Sequence, residues 1–345
     1  MHNIYIWQQA IWQRLMQNHS FRNQALLLKG KKGIGKFRFA HNLAKSLLCR
    51  NLSAHNGACQ KCISCNWFEQ SEHPNFYQIA PESISESSEG NIEKIETENI
   101  TNSKKLKKKN SQQIGVEQIR MLTDFVYMTG HQSGFKIILI YPAETMNLAA
   151  ASALLKKLEE PPPQILFILV THRPQYLLPT IRSRCQQIAM PSPDIATATA
   201  WLKQQGVNEP AACLAAASFA PLSALAFNTD DYVIQHEQFI EQISTPRHLN
   251  PVLLAETMQQ LELSTVVGWL QKWCYDLMNF HTTGEVRYYL NHCPVVKELS
   301  STVDPKKLMA YSRRLITAQR LSRHPLNFRL FLEEILITYA MLWHK

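Results

Sequence analysis

The run Ala25-Leu26-Leu27-Leu28-Lys29-Gly30-Lys31-Lys32-Gly33-Ile34-Gly35-Lys36-Phe37 decides the fold class. Its first four residues make a short buried strand. Glycines then break the pattern, and Phe37–Leu48 resumes with helical spacing, Phe39, Leu43 and Leu47 sharing one face. A glycine turn joining a strand to a helix is the setting of a phosphate-binding loop. Backbone N–H groups converge on phosphate oxygens, the helix N-terminus adds positive potential, and a lysine reaches the terminal phosphates. Gly30, Gly35 and Lys36 satisfy the spacing G-x-x-x-x-G-K-[ST], with Gly33 inside the loop. Phe37 does not: a hydroxyl for Mg²⁺ belongs there. A second magnesium position is expected after a later strand. The strand Lys136–Ile140 instead runs into Tyr141-Pro142-Ala143-Glu144, with tyrosine in place of aspartate. Glu144 reads as a helix-entry charge. Loss of both positions forfeits the metal clamp on the phosphates, so the loop predicts a nucleotide-binding ancestry without ATP hydrolysis. Whether a nucleotide still binds stays open.

Outward from this loop, short apolar runs alternate with helical patterns. Phe76–Ile79 reads as a strand, Val116–Tyr127 as a helix with Ile119, Leu122, Phe125 and Val126 inward, and Lys136–Tyr141 as a continuous apolar strand. Leu148–Leu158 is a helix stopped by Pro161-Pro162-Pro163, and Ile165–Val170 a further buried strand. Continuous apolar strands separated by helices imply a parallel sheet covered on both faces. The pattern breaks over 81–113, rich in Ser, Glu, Asn and Lys, which reads as a disordered surface insertion. Its Lys104, Lys105, Lys107, Lys108 and Lys109 read as a solvated loop rather than a DNA-binding tail. After Pro191 the strands stop. Ile195–Gln205, Ala211–Phe219 and Leu222–Phe227 form three short helices, and the chain is helical from about Tyr232 onward, over Glu262–Phe280, Pro305–Leu321 and Pro325–Leu342. The expected division is an α/β domain over 1–190, a small helical domain over 191–230 and a larger helical domain over 231–345.

The 345 residues suit two or three domains, and 45% hydrophobic with 18% charged residues is an ordinary globular balance. Apolar runs such as Ile165–Val170 are far too short to span a bilayer. The start, Met1-His2-Asn3-Ile4-Tyr5, is not a secretory pattern. The expectation is a cytoplasmic protein without a membrane partner. Lys and Arg exceed Asp and Glu by nine, which favours anionic partners such as nucleic acid. Eight cysteines are too few for a disulfide scaffold, but Cys49, Cys59, Cys62 and Cys65 crowd into seventeen positions. Four thiolates complete a tetrahedral Zn²⁺ site and leave no open position for water, a structural rather than catalytic centre. An iron–sulfur cluster and plain reduced thiols are the alternatives. Cys213, Cys274 and Cys293 read as core residues. In Leu178-Pro179-Thr180-Ile181-Arg182-Ser183-Arg184-Cys185, the two arginines read on composition alone as surface charges.

Taken together, GKKGIGK, the four-cysteine insertion, MNLAAASALLKKLEEPPP, ILFILVTHRPQYLLPTIRSRCQ and a helical last third resemble the AAA+ subunits of bacterial clamp loaders. Specific motifs cover about residues 20–190; order and length carry the rest. The resemblance implies an AAA+ P-loop domain, a three-helix lid and a C-terminal collar that joins five subunits. It implies that Cys49, Cys59, Cys62 and Cys65 ligate structural Zn²⁺ and that Thr171 stands at the nucleotide-sensing position. Ser183-Arg184-Cys185 matches a motif whose arginine acts in trans on ATP held by an adjacent gamma/tau subunit. Partners would be gamma/tau and delta subunits and, indirectly, the sliding clamp and primed DNA. ATPase members keep Lys-[ST], an Asp-Glu pair and a lid arginine. This chain has Lys36-Phe37, Tyr141-Pro142-Ala143-Glu144 and no arginine around Ala220-Pro221-Leu222-Ser223, which selects a non-hydrolysing member. An active ATPase subunit of the same fold and a zinc-containing DNA-binding protein with a decayed loop are the rivals.

Overall fold

The computed structural model describes residues 4–17, 25–51, 57–85, 111–127, 135–161, 164–228, 230–322 and 326–343. Five strands, β1 (Ala25–Lys29), β2 (Phe76–Ile79), β3 (Lys136–Ile140), β4 (Ile165–Thr171) and β5 (Gln186–Ala189), form one sheet in the order β2-β3-β4-β1-β5. Every pairing is parallel, and the register sets Leu27 beside Leu169 and Lys29 beside Thr171. Alternation along each strand feeds both faces. Leu26, Leu28, Ile137, Leu139, Leu166, Ile168 and Val170 enter one apolar cluster. Leu27, Ile138, Ile140, Ile165, Phe167 and Leu169 enter the other. This two-sided burial is why the strands read as unbroken apolar runs. Burying a side chain such as Phe167, which is fully enclosed, contributes about 1.5–3 kcal/mol.

Helices cover both faces. On one side lie α1 (Gln9–Gln17), α2 (Lys36–Leu48) and α3 (Ile63–Glu69), which contribute Trp12, Phe39, Leu43 and Phe68 to the first cluster. A single turn, α4 (Glu82–Ser85), adds Ile84. On the other side lie α5 (Val116–Tyr127), α6 (Leu148–Glu159) and α7 (Pro179–Arg184), bringing Leu122, Leu154 and Ile181. Asn147 caps α6, its side chain accepting the Ala150 amide at 2.8 Å.

The contacts divide the chain into two units, one ending at Asp194 and one starting at Ile195. In the second, α8 (Ile195–Gln204), α9 (Pro210–Ala216) and α10 (Pro221–Phe227) bury Ala198, Leu202, Leu214 and Ala224 together. The remaining helices are α11 (Asp230–Ser244), α12 (Pro251–Thr257), α13 (Leu263–Thr283), α14 (Cys293–Thr302), α15 (Pro305–Leu321) and α16 (Phe328–Ala340). They enclose a larger core around α13, where Trp273 donates to the Tyr339 hydroxyl at 2.8 Å and Tyr339 donates to the Ile243 carbonyl at 2.8 Å. Among the described residues no single helix is long and apolar enough to cross a membrane.

Several expectations need correction. Strand β5, with its single inward Ile188 among Gln186, Gln187 and Ala189, carries no apolar run because it is an edge strand. Helices α1 and α3 were not among the expected elements. The helix expected to Phe219 stops at Ala216, where Ser218 and Phe219 turn left-handed at φ 59° and 60°. Pro81 and Ile84 are buried, so the expected insertion over 81–113 cannot start at Pro81. Residues 86–110, including the lysine run, lie outside the described residues. Cys274 is buried as expected and Cys213 is half-buried, but Cys293 is exposed, because it opens α14 at a helix end turned to solvent.

Candidate functional site

The glycine loop closes on itself. Gly33 and Gly35 adopt φ 76° and 86°, conformations that L side chains rarely take. A Cβ at Gly35 would stand 2.4 Å from the Tyr5 ring, so the turn over Tyr5–Gln8 lies directly on the loop. Trp7 and Gln8 both donate to the Ile34 carbonyl, at 3.0 and 2.8 Å, and Arg38 donates to the Tyr5 hydroxyl at 3.1 Å. Gly30 is less tight: a Cβ there would meet the end of the Ile34 side chain, Cδ1, at 2.9 Å and the Met190 carbonyl at 3.2 Å.

Lys36 is fully buried. Its ammonium donates to the Lys31 carbonyl and lies 2.8 Å from His172 Nδ1. Burial, then the positive charge of Lys36, holds the His172 pKa well below the usual imidazole range, so the ring is neutral and Nδ1 accepts from the ammonium. His172 Nε2, 3.3 Å from the Tyr141 hydroxyl, then carries the proton. A protein imidazole thus meets the amine that a phosphate would meet in a working loop.

The two expected magnesium positions have become one aromatic contact. Phe37 and Tyr141 are both buried, with ring centroids 4.7 Å apart. His172 meets the Tyr141 ring edge-on at 5.4 Å. These side chains do not fit a Mg–nucleotide complex: they offer it no carboxylate or aliphatic hydroxyl and fill its place with apolar surface. Glu144 stands in the first turn of the short helix Ala143–Thr145, as expected of a helix-entry charge, and also accepts the His172 amide at 3.0 Å through Oε1. Thr171, the expected nucleotide sensor, is buried and accepts the Arg173 amide at 3.1 Å. The group from this strand end that reaches Lys36 is His172, which the sequence reading missed. Its signal was the position after an apolar strand whose register lies beside β1.

Cys49, Cys59, Cys62 and Cys65 converge, with all four Sγ atoms within 4.8 Å of one another. The Cys49–Cys62 and Cys59–Cys65 pairs are 3.9 Å apart and Cys49–Cys65 3.6 Å. Tetrahedral zinc with Zn–S near 2.3 Å requires about 3.8 Å between sulfurs, so the donor set fits that ion. The amides of Cys59 and Cys62 donate to Cys49 Sγ (3.2 Å) and Cys59 Sγ (3.4 Å), which orients the thiolates. Ser64 braces the segment, donating to the Leu48 carbonyl at 2.7 Å and meeting His73 Nε2 at 2.8 Å. Burial and the crowded neighbouring thiols push Cys65 up to about 12. Four sulfurs this close ionise together only around a cation.

Arg184 ends α7 on the surface. Its Nη2 pairs with Glu159 Oε1 at 2.8 Å and its Nη1 donates to the Thr180 carbonyl at 3.2 Å. Ser183 is exposed beside it, its hydroxyl also donating to Thr180, at 3.0 Å. Cys185 turns into the core, where burial pushes its thiol up to about 12.

Comparison with known proteins gives this arrangement its relatives. The family described as "DNA polymerase III, delta subunit" matches residues 7–194, and "DNA polymerase III, delta subunit, C terminal" matches 231–340. The DNA polymerase III subunit delta' of Pseudomonas aeruginosa is 31% identical over 99% of this chain and 99% of its own length. That of Yersinia pestis is 29% identical over 98% of this chain and 95% of its own. The DNA polymerase III subunit gamma of Buchnera aphidicola (Schizaphis graminum) is 32% identical over 47% of this chain and 41% of its own length.

Proposed function

Because the chain belongs to the family of DNA polymerase III delta-prime subunits, we propose that it serves the clamp loader as a subunit that hydrolyses no ATP itself and lends Arg184 to a neighbour's nucleotide. Chief support is the aromatic pair Phe37–Tyr141 at both magnesium positions. The engagement of Lys36 by Lys31 and His172 adds to it. A loop whose lysine already holds protein groups and whose magnesium positions are aromatic offers a nucleotide neither the usual lysine contact to its terminal phosphates nor a metal.

Arg184 suits a role in trans. It is exposed at a helix end, and an exposed ion pair such as that with Glu159 is worth only about 0–1 kcal/mol. Exchanging Glu159 for a phosphate is therefore cheap, and a guanidinium offers planar, bidentate recognition of phosphate oxygens. The expected partners are gamma/tau subunits, whose ATP Arg184 would touch, and delta, with the sliding clamp and primed DNA met through the assembly. The reading assigns residues 1–190 to the AAA+ body, 191–230 to the lid and 231–345 to the collar. Zinc on the four cysteines would hold the Cys49–Cys65 segment in shape and take no part in chemistry.

Reconstitution with gamma/tau and delta subunits tests this. The isolated chain should show no turnover of Mg-ATP. Arg184→Ala should assemble normally, yet lower turnover by the complex. At one site the loss of an arginine finger costs on the order of a thousandfold in rate, so the total falls by that site's share. Unchanged turnover would return Arg184 to the status of a surface charge.

A further inference from the structure

The second unit carries a cleft of about 470 Å³, partly open to solvent, that belongs to none of the sites above. Its walls come from α9, the end of α10, α11, α13 and the turn Leu290–His292. A cleft of this volume has the dimensions of a small-molecule site. Five aromatic side chains line it: Phe227, Tyr232, Trp269, Tyr288 and Tyr289. Phe227 stacks on Tyr232 with centroids 4.5 Å apart, and Trp269 closes edge-on at 5.3 Å. Hydrogen bonds fix these walls. Trp269 donates to the Tyr232 hydroxyl at 2.8 Å, and Tyr289 donates to the Trp269 carbonyl at 2.9 Å. The polar ends of these three rings are thereby engaged with the protein.

The charged groups in the lining are carboxylates. Glu237 lies 3.5 Å from His292 Nε2 and 3.9 Å from His236 Nδ1, and the neighbouring His236 draws its pKa down, so it is ionised at neutral pH. Glu209 accepts from Asn291 at 2.7 Å. His236 lies in the wall between Tyr232 and Tyr289, and burial lowers its pKa toward the neutral ring. Among the described lining residues there is no lysine or arginine. Lys272 lies behind the wall. Its ammonium donates to the Ala216 carbonyl and sits 6.0 Å from the Phe227 ring centre, and both of those residues line the cleft while Lys272 does not.

We propose that this cleft binds a small organic cation, an ammonium or guanidinium carried on an apolar body. Ring faces attract a cation through their quadrupole, and aromatic boxes are the usual receptors of alkylated ammonium groups. Glu237 and Glu209 supply the countercharge and disfavour anions. The apolar body takes the remaining volume and removes its own surface from water. A bound cation would join α9 to α11 and α13 and raise the stability of this unit by mass action.

The test titrates the full chain with benzyltrimethylammonium by calorimetry, with benzyl alcohol as neutral and benzoate as anionic comparison. The expected result is saturable binding of the cation, at least about fivefold tighter than either comparison, as cation–π and ionic attraction together allow. Glu237→Gln, at a half-exposed position, should weaken it roughly fivefold with the melting temperature unchanged. Cys213 lines the cleft and Cys293 does not, so the cation should slow alkylation of Cys213 alone. Absence of saturable binding, equal binding of the three probes, unaltered binding by Glu237→Gln, or no protection of Cys213 would each overturn the proposal.

Discussion

Lys36 shows how one side chain changes allegiance. In a working loop its amine would be held by phosphate; here it is held by a backbone carbonyl and a neutral imidazole. Lys36→Met should therefore lower the stability of the chain by about 1–3 kcal/mol, because buried hydrogen-bonding partners lose their donor. The same change should leave ATP turnover by the assembled complex within about twofold, since an apolar isostere removes nothing used in the rate-limiting chemistry. Chemical denaturation and a turnover assay on the same preparation check both halves. A collapse of turnover with stability intact would mean that the lysine still touches nucleotide. Phe37 and Tyr141 were legible as misfits from the linear pattern alone. His172 was not, because its approach to Lys36 spans 136 positions and depends on Lys29 pairing with Thr171 across β1 and β4. Tyr5 was invisible for a related reason: nothing in a lone N-terminal tyrosine says that a distant glycine has made room for it.

At the level of elements, strands buried on both faces announced themselves and the strand at the edge did not. Leu166–Val170 must be apolar at every position, whereas Gln186–Ala189 needs only Ile188 inward. The cysteine segment lies between these cases. Its ligand spacing was readable, but the helix α3 that presents Cys65 was not, since its seven residues carry too little periodicity. The sulfur geometry leads to a definite expectation. Cys62→Ser should abolish stoichiometric zinc in the purified chain, measured by atomic absorption. It should also lower the melting temperature by several degrees, in line with a loss of roughly 2 kcal/mol or more in a chain of this size. A strong chelator should reproduce the shift in the wild type and not in the variant. Wild-type protein purified without zinc, yet equally stable, would remove the metal from the account.

At the scale of the whole molecule, the contacts part the chain at Asp194 and Ile195, close to Pro191, where the strands were expected to end. Charge is less local than the lysine run suggests: residues 86–110 hold six lysines against five glutamates, so the surplus of nine resides almost wholly elsewhere. The two ends of that segment are tied together, the Ser111 amide donating to Glu82 at 3.2 Å and the Ser83 amide to the Ser111 carbonyl at 3.4 Å. Replacing 86–110 by a short glycine–serine linker should thus shift stability by less than about 1 kcal/mol, since closure entropy depends only weakly on loop length. Thermal melting of the shortened chain reads this directly, and a large drop would show that the segment is part of the core. The pairing of Phe37 with Tyr141 also carries a consequence for restoring the metal site. Reverting either position alone would set a polar group against a ring or open a void in the interior, a penalty of roughly 2 kcal/mol or more, and would restore no metal. A single reversal therefore loses stability before any metal could be gained, so the two rings hold each other in place.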